Sequence, residues 1–367
     1  MLNQLSFASG YLAMFLVPGL LLLGIFFDAP SLAFGMILFV LPLARPLFGK
    51  LGPGSTPLWS EWTATVLERL PLVYAGALSA AIWIVLRYVA SAETLDFAHL
   101  LGLGLSLWMT MLFATCVAHA LIHRKATGQT MVGHYIAGLA GYPVLGHEHL
   151  RHHARPGDTA SAEWPQVGES VWQFAARRAV AIVRSAYAPG SAFWTDPAPG
   201  RHVIGLRLAT AVSLIICGLF AYAGGWSGLA VYVGVLVAVT FGMQLFTYIQ
   251  HWGLGDDRLA ERASRDYGWE DDCRLQSWMT LGISLHHAHH QSGHLPYYRV
   301  ALTPDSPRLP AGYVVLMVLC LFPALWRKLM LPALEHWQRS PNDPRSPGRA
   351  LSCFSVYADH PARGATG

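Results

Sequence analysis

Charge is scarce in this sequence: only 13% of its 367 residues are Asp, Glu, Lys or Arg, while 53% are hydrophobic. With a mean hydropathy of +0.38, that balance lies outside the range of a soluble domain and indicates a membrane protein. A basic stripe interleaved with aromatics is also missing. The net charge of +4 comes from scattered Arg and Lys, which argues against nucleic acid as a partner. The five cysteines, Cys116, Cys217, Cys273, Cys320 and Cys353, lie far apart and form no CxxC. Neither a disulfide framework nor a thiolate metal site follows from them, and they read as small core residues. Nor is there an internal repeat, or a basic stretch ahead of the first apolar run. That run is therefore expected to persist as a helix and not to be removed as a signal.

Six apolar runs approach or exceed the roughly 20 residues that cross a bilayer: 11–27, 30–48, 70–90, 98–122, 203–223 and 228–249. The expected fold class is an all-α membrane protein with six transmembrane helices. Short turns, "DAPS", "SAETLDF" and "GGWSG", pair the runs into hairpins, while Arg45, Lys50, Arg69, Arg124 and Lys125 flank the other ends. By the positive-inside rule, those basic flanks, both long loops and both termini are expected on the cytoplasmic side. A further run, 313–331, is flanked by Trp326, Arg327 and Lys328 and is read as an interfacial helix. One membrane domain is thus expected over 1–340, with 341–367, rich in Pro, Ser and Arg, as a disordered tail.

The seventeen histidines are distributed unevenly, with the dense clusters in or beside the two expected cytoplasmic segments. "HALIH" places His119 and His123 at i and i+4, one turn apart on one helix face. "HEHLRHH" contains the triplet His149, His152 and His153, and "HHAHH" repeats that spacing in His286, His289 and His290. "TYIQHWGL" adds His251 at the end of the sixth run. A lone histidine at a helix end is ordinarily just hydrogen-bonded, but a repeated HxxHH is not expected by chance. Nine imidazoles are too many for one first-row ion, and two ions sharing them would take four or five nitrogens each. Imidazole suits Zn, Cu, Fe and Ni alike, so the ligands alone do not name the metal. Scarce carboxylates distinguish this set from the carboxylate-bridged di-iron sites of four-helix bundles.

At these residues the chain resembles the integral-membrane alkane hydroxylases (alkane 1-monooxygenases and xylene monooxygenases), within the membrane fatty-acid desaturase and hydroxylase superfamily. "HALIHRK", "EHLRHH", "YIQHWGL" and "LHHAHH" are similar to that family's successive histidine motifs, as are "PGDTASAEWPQVGESVWQF", "LPYYRV" and "LPAGY" between and after them. The resemblance implies two iron ions near the cytoplasmic side of a bacterial inner membrane, with the nine histidines above as ligands. It further implies O2 as co-substrate, hydroxylation of an unactivated C–H bond in an alkane or alkyl group, and electrons from NAD(P)H through a reductase and a rubredoxin or ferredoxin. Physical chemistry is compatible: iron with open positions binds O2, which zinc does not.

Three departures stand out. Ala120, Gln250 and Ala288 occupy positions where the family usually carries an acid, which would orient an imidazole. Glu148, Asp158 and Glu169 remain as candidate acids for that role, with ordinary surface charge as the alternative. His287 and His147 break the triplet spacing and are expected to support the site or face solvent. His134, in "MVGHYIAGLAGYPVLG", is expected to be simply hydrogen-bonded, and His294 lies outside the set. Trp108, Met109, Met111, Phe113, Met243, Phe246 and Tyr248 precede motifs on their runs and are candidates for a substrate channel, core packing being the alternative. Arg151, Arg155, Arg258 and Arg274 could form a docking face for an acidic electron carrier. A fatty-acyl desaturase using a similar histidine set is the second reading. A metal transporter is the third, and is disfavoured because its ligands would lie near the bilayer midplane.

Overall fold

A computed structural model describes residues 2–91, 96–255, 268–304 and 306–339. The expected tail, Arg258 and Cys353 lie outside the described residues. Within them the chain is helical, with isolated bridges such as Lys50 to Cys273 and no named strand.

The chain opens with α1 (Leu2–Gly10), a 3-10 turn (Tyr11–Phe15) and α2 (Leu16–Phe26), and the apolar stretch Gln4–Phe26 is long enough to cross a membrane. The second expected span is a shorter helix, 32–48, made of α3 (Leu32–Gly35), a π segment (Met36–Val40) and α4 (Leu41–Phe48). Helices α5 (Glu61–Ser91) and α6 (Phe97–Ile122) cover the third and fourth runs. Asp96 caps α6, its carboxylate accepting from the His99 N–H at 2.8 Å, which satisfies one of the amides that a helix start leaves without a partner. The fifth and sixth runs belong to one long element, α11 (Arg201–His251), which breaks at Gly224 and Gly225. Gly225 has φ +56°, a conformation glycine adopts without steric cost. At Gly228 a Cβ would lie 2.1 Å from the Phe220 carbonyl oxygen, so the two arms meet closer than any side chain permits. Among the described residues four helices are therefore long and apolar enough to span, the fourth doubled by its break.

Between the apolar hairpins lie the shorter elements that carry chemistry: α7 (Thr127–Leu139), α8 (Leu145–Ala154), α9 (Val171–Tyr187) and α10 (Ala192–Thr195). After α11 come α12 (Arg274–Met279), α13 (His286–Gln291), α14 (Tyr313–Leu319) and α15 (Pro323–Arg339). α7 packs against both α6 and α11, and α9 against α11. One apolar core joins α5, α6, α7 and α11, with Leu78, Val85, Leu107, Val117 and Ile136 fully buried in it. A second joins the end of α11 to α9 and α15 through Phe174, Tyr248, Trp252 and Trp326.

The expected helix over 313–331 is instead two, α14 and α15, and Trp326 is not an interfacial anchor. It is fully buried with its ring centroid 5.3 Å from Tyr248 and 5.9 Å from Trp252. Packing against two aromatic rings removes more apolar surface from water than an outward position would.

The C-terminal third is strapped to the N-terminal third by polar contacts. Arg45 makes a two-pronged ion pair with Asp271 at 2.7 and 2.8 Å, and Leu51 N–H donates to the Asp272 carbonyl at 2.7 Å. Tyr297 donates its hydroxyl to the Leu67 carbonyl at 2.7 Å.

Candidate metal centre

Each histidine motif occupies a helix end or a short helix, and all four converge. His119 projects from the last turn of α6 with His123 just past it, His149, His152 and His153 come from α8, His251 ends α11, and His286, His289 and His290 lie on α13. Their ring nitrogens form two groups: His119, His123, His149, His153 and His289 in one, His152, His251, His286 and His290 in the other. Within each group the ligand atoms lie within 4.8 Å of one another. The partition follows helix geometry. Residues i and i+4 share a face whereas i+1 points about 100° away, so His149 and His153 enter the first group and His152 the second. On α13 the assignment is inverted: His286 and His290 enter the second group and His289 the first.

The spacing between nitrogens carries a chemical argument. In the first group His119 Nε2 lies 2.9 Å from His149 Nε2 and 3.1 Å from His289 Nε2; His153 Nε2 is 3.0 Å from His289 Nε2, and His123 also meets His149. In the second, His251 to His286 is 2.8 Å, His286 to His290 is 3.0 Å and His290 to His152 is 3.1 Å. Hydrogen bonds alone do not account for this. A neutral ring nitrogen has one proton or one lone pair, directed in the ring plane, yet His119, His149, His289, His286 and His290 would each serve two partners through one atom. A cation among inward-facing lone pairs does account for it: nitrogens about 2.1 Å from one ion and at right angles are about 3.0 Å apart.

Electrostatics point the same way. Burial, reinforced by neighbouring histidines, pushes His149, His286, His289 and His290 well below the usual imidazole range. Burial likewise pushes His153 down to about 4. At neutral pH these rings are uncharged, as metal ligation requires. The Trp164 ring stacks on His251 with centroids 4.3 Å apart and holds that ring's plane.

The candidate acids separate. Glu148 is buried on α8 between the Tyr142 hydroxyl and Arg178, whose Nη2 is 2.9 Å from its carboxylate. Asp158 accepts from the Ser161 N–H at 2.8 Å in the loop after α8, and Glu169 holds Arg177 at 2.7 and 2.8 Å. Neither Asp158 nor Glu169 lies in either histidine group. Two acids escaped sequence reasoning. Glu163 takes the other side of Arg178 at 2.8 Å. Glu270, fully buried, accepts from Ala288 N–H at 2.9 Å, Thr303 N–H at 3.2 Å, Arg308 at 2.7 Å and the Ser306 hydroxyl. Glu270 thus fixes the backbone of α13 at Ala288, where the family's usual acid is missing. No local spacing flags it, because eighteen residues and a turn separate the two positions.

His287 is buried with Nε2 2.8 Å from Gln291, and His147 bonds Ser185 at 2.8 Å, both outside the two groups, as is exposed His294. His134 corrects an expectation: neither ring nitrogen has a hydrogen-bond partner among the described residues. Its ring is wedged against Gly146 and Gly205, where a Cβ would come within 2.3 and 2.1 Å of it.

Two cavities adjoin the centre. A small one, about 50 Å³, touches both groups through His119, His149, His152 and His286. A larger one, about 220 Å³, is walled by Phe34, Trp108, Leu112, Phe113 and Tyr313, with no charged side chain among the described residues. Phe246 lines both. Of the channel candidates, Trp108, Met109 and Phe113 line the larger cavity, Met243 the smaller, and Met111 and Tyr248 lie in the packed cores.

A family model described as fatty acid desaturase matches residues 97–318. The chain belongs to the fatty acid desaturase family. Its matched segment runs from the first residue of α6 into α14, so it contains every histidine of both groups. This desaturase-family chain is also similar to curated alkane 1-monooxygenases. It is 28% identical to alkane 1-monooxygenase 1 of Pseudomonas aeruginosa over 60% of the chain and 59% of that protein, so the chain spans about three-fifths of that relative's length. Alkane 1-monooxygenase 2 of Alcanivorax borkumensis is 23% identical over 82% of each chain. The enzyme of Acinetobacter baylyi is 25% identical over 82% of this chain and 76% of its own.

Proposed function

We propose that this protein is an integral-membrane non-haem di-iron monooxygenase that hydroxylates an unactivated C–H bond of a hydrophobic alkyl substrate. The observation that carries the reading is the division of nine imidazoles, six buried and three half-buried, into groups of five and four, both opening on one small cavity. Two iron ions held there would supply O2 binding and the electrons that cleave it, which imidazole alone does not. The balance is RH, O2, two electrons and two protons giving ROH and water.

The chain's own residues do the rest. The apolar cavity excludes water and admits a hydrocarbon from the bilayer, and Phe246 stands where that path meets the imidazole-lined space. Positioning by such walls is what converts a weakly recognised alkane into a reactive one. Arg178, clamped between Glu148 and Glu163, fixes α8 and with it three histidines. Glu270 does the same for α13.

The bilayer placement that fits is six crossings, with the two arms of α11 counted separately and the histidines on the cytoplasmic side of a bacterial inner membrane. An electron carrier of rubredoxin or ferredoxin type, fed by an NAD(P)H-dependent reductase, would dock where His123, His153 and His290 keep partial solvent contact. Fatty-acyl desaturation is the second reading, supported by the family model. The lack of a charged side chain around the apolar cavity favours a hydrocarbon over a carrier-bound acyl group.

The test is metal analysis of the purified protein followed by product analysis with medium-chain alkanes, alkylaromatics and acyl lipids, given O2, NADH and an electron-transfer pair. Two irons per chain and alcohol products are expected. Zinc as the only metal would overturn the metal assignment, and alkenes without alcohols would transfer the assignment to desaturation.

A further inference from the structure

Away from the histidine groups, a cavity of about 360 Å³ opens between α8, α9, α10 and the start of α11. Its lining mixes two chemistries. Leu150, Ala186, Phe193, Val203 and Leu206 line it together with Arg151, Arg155, His147 and His202, and no carboxylate does so among the described residues. Two acids outside the lining interact with its arginines: Glu163 pairs with Arg151 at 3.3 Å, and Asp158 feels the charge of Arg155.

Three features make this rim attractive to an anion. Arg155 is exposed and Arg151 retains N–H groups beyond its single contact with Glu163. His202 lines the cavity and accepts from Arg201 through Nε2 at 3.2 Å, so its Nδ1 carries the proton, a buried N–H without a partner among the described residues that a turn of the ring would present to a ligand. The cavity also borders the N-terminus of α11, whose cap residue, Gly200, supplies no side-chain bond. The first amides of a long helix present unsatisfied N–H groups and the positive end of its dipole.

The apolar residues decide which anion. Next in sequence to lining residues are Ile204 and Trp194, which are 46% and 63% exposed, and Val183, two positions before Ser185, is 49% exposed, with Val180 one turn earlier at 49%. α11 continues from this rim as a long apolar arm, so the cavity lies where an outward apolar band meets cationic side chains. Exposed tryptophan at such a border is characteristic of the membrane interface. Free phosphate would use only the cationic residues, whereas a phospholipid uses both kinds.

We propose that this cavity binds the phosphate headgroup of an anionic phospholipid, with its glycerol against Phe193 and Leu206 and its acyl chains on the exposed band of α9 to α11. Charge attraction and chain burial act together there, as in lipid sites at basic interfacial pockets. The site rests on residues outside both histidine groups and stands whether or not the chemistry proposed above is correct.

The test uses full-length protein, delipidated in detergent and titrated with dioleoyl phosphatidylglycerol or dioleoyl phosphatidylcholine, bound lipid being counted by native mass spectrometry. Phosphatidylglycerol is expected to be retained at least about tenfold more tightly, and Arg155→Ala/His202→Ala is expected to erase that preference with elution profile and thermal unfolding unchanged. Should the variant misfold, a photoactivatable phosphatidylglycerol on the unaltered protein is expected to label peptides of α9 and α10. Equal retention of both lipids, a preference that survives the variant, labelling elsewhere, or displacement of the lipid by inorganic phosphate at equimolar concentration would each overturn the proposal.

Discussion

α8 and α13 carry the same HxxHH spacing but hold their histidines in position by different means. α8 is a ten-residue helix clamped by a buried charge network, in which Arg178 lies between Glu148 and Glu163 and the Tyr142 hydroxyl closes the far side of Glu148. α13 has six residues and is held through its backbone, the Ala288 N–H donating to Glu270, with Ser306, Arg308 and Thr303 completing that carboxylate's shell. The difference teaches that one ligand spacing does not require one support. The shorter helix, lacking an acid of its own, takes one from a distant turn.

The largest effects should come from the ligands, and they should separate the two groups. His286→Ala leaves three imidazoles where four stood, whereas His153→Ala leaves four of five. Both are expected to abolish turnover, with iron per chain, measured by plasma mass spectrometry, falling further for His286→Ala. Equal metal loss in the two variants would break the asymmetry between the groups.

Next come the supports. Arg178→Met leaves two buried carboxylates facing each other without their cation, a change that costs about 3–5 kcal/mol. Glu270→Ala leaves buried donors unsatisfied at about 1–3 kcal/mol. Chemical unfolding in detergent should rank them in that order. The reverse order would make the backbone anchor of α13 the dominant support.

A smaller, more specific change is expected at Phe246, which lines both cavities. Phe246→Ala should shift turnover towards bulkier alkyl substrates and Phe246→Trp towards slimmer ones, read as the ratio of kcat/KM values across a chain-length series. A ratio unchanged in both variants would remove Phe246 from the substrate path. The smallest effect belongs to His287→Ala: its imidazole meets Gln291 outside both groups, so iron content and most activity should persist. Loss matching that of His286→Ala would show that α13 is turned by one residue.

The helices and the ligand positions are largely legible in the order of residues. The apolar runs mark the helices because an uninterrupted stretch of such side chains is stable only away from water. The i, i+3 and i+4 intervals mark the histidines because one helical turn brings those positions together. His119 with His123, and the outer pair of each HxxHH, are local facts of this kind.

Other features depended on how helices distant in sequence meet. Which face of α8 shares an ion with which face of α13, so that His289 joins His149 and His153 while His152 joins His286 and His290, needs the relative placement of α6, α8, α11 and α13. Glu270, Glu163 and Arg178 carry no motif, because their partners lie fifteen to thirty-eight residues away. Phe246 could have been core or channel until two cavities met at its ring. Local periodicity follows from the backbone's own geometry, so the sequence by itself determined it. Which faces confront one another, and which buried charge finds which partner, is a property of long-range packing, and only the tertiary structure decided it.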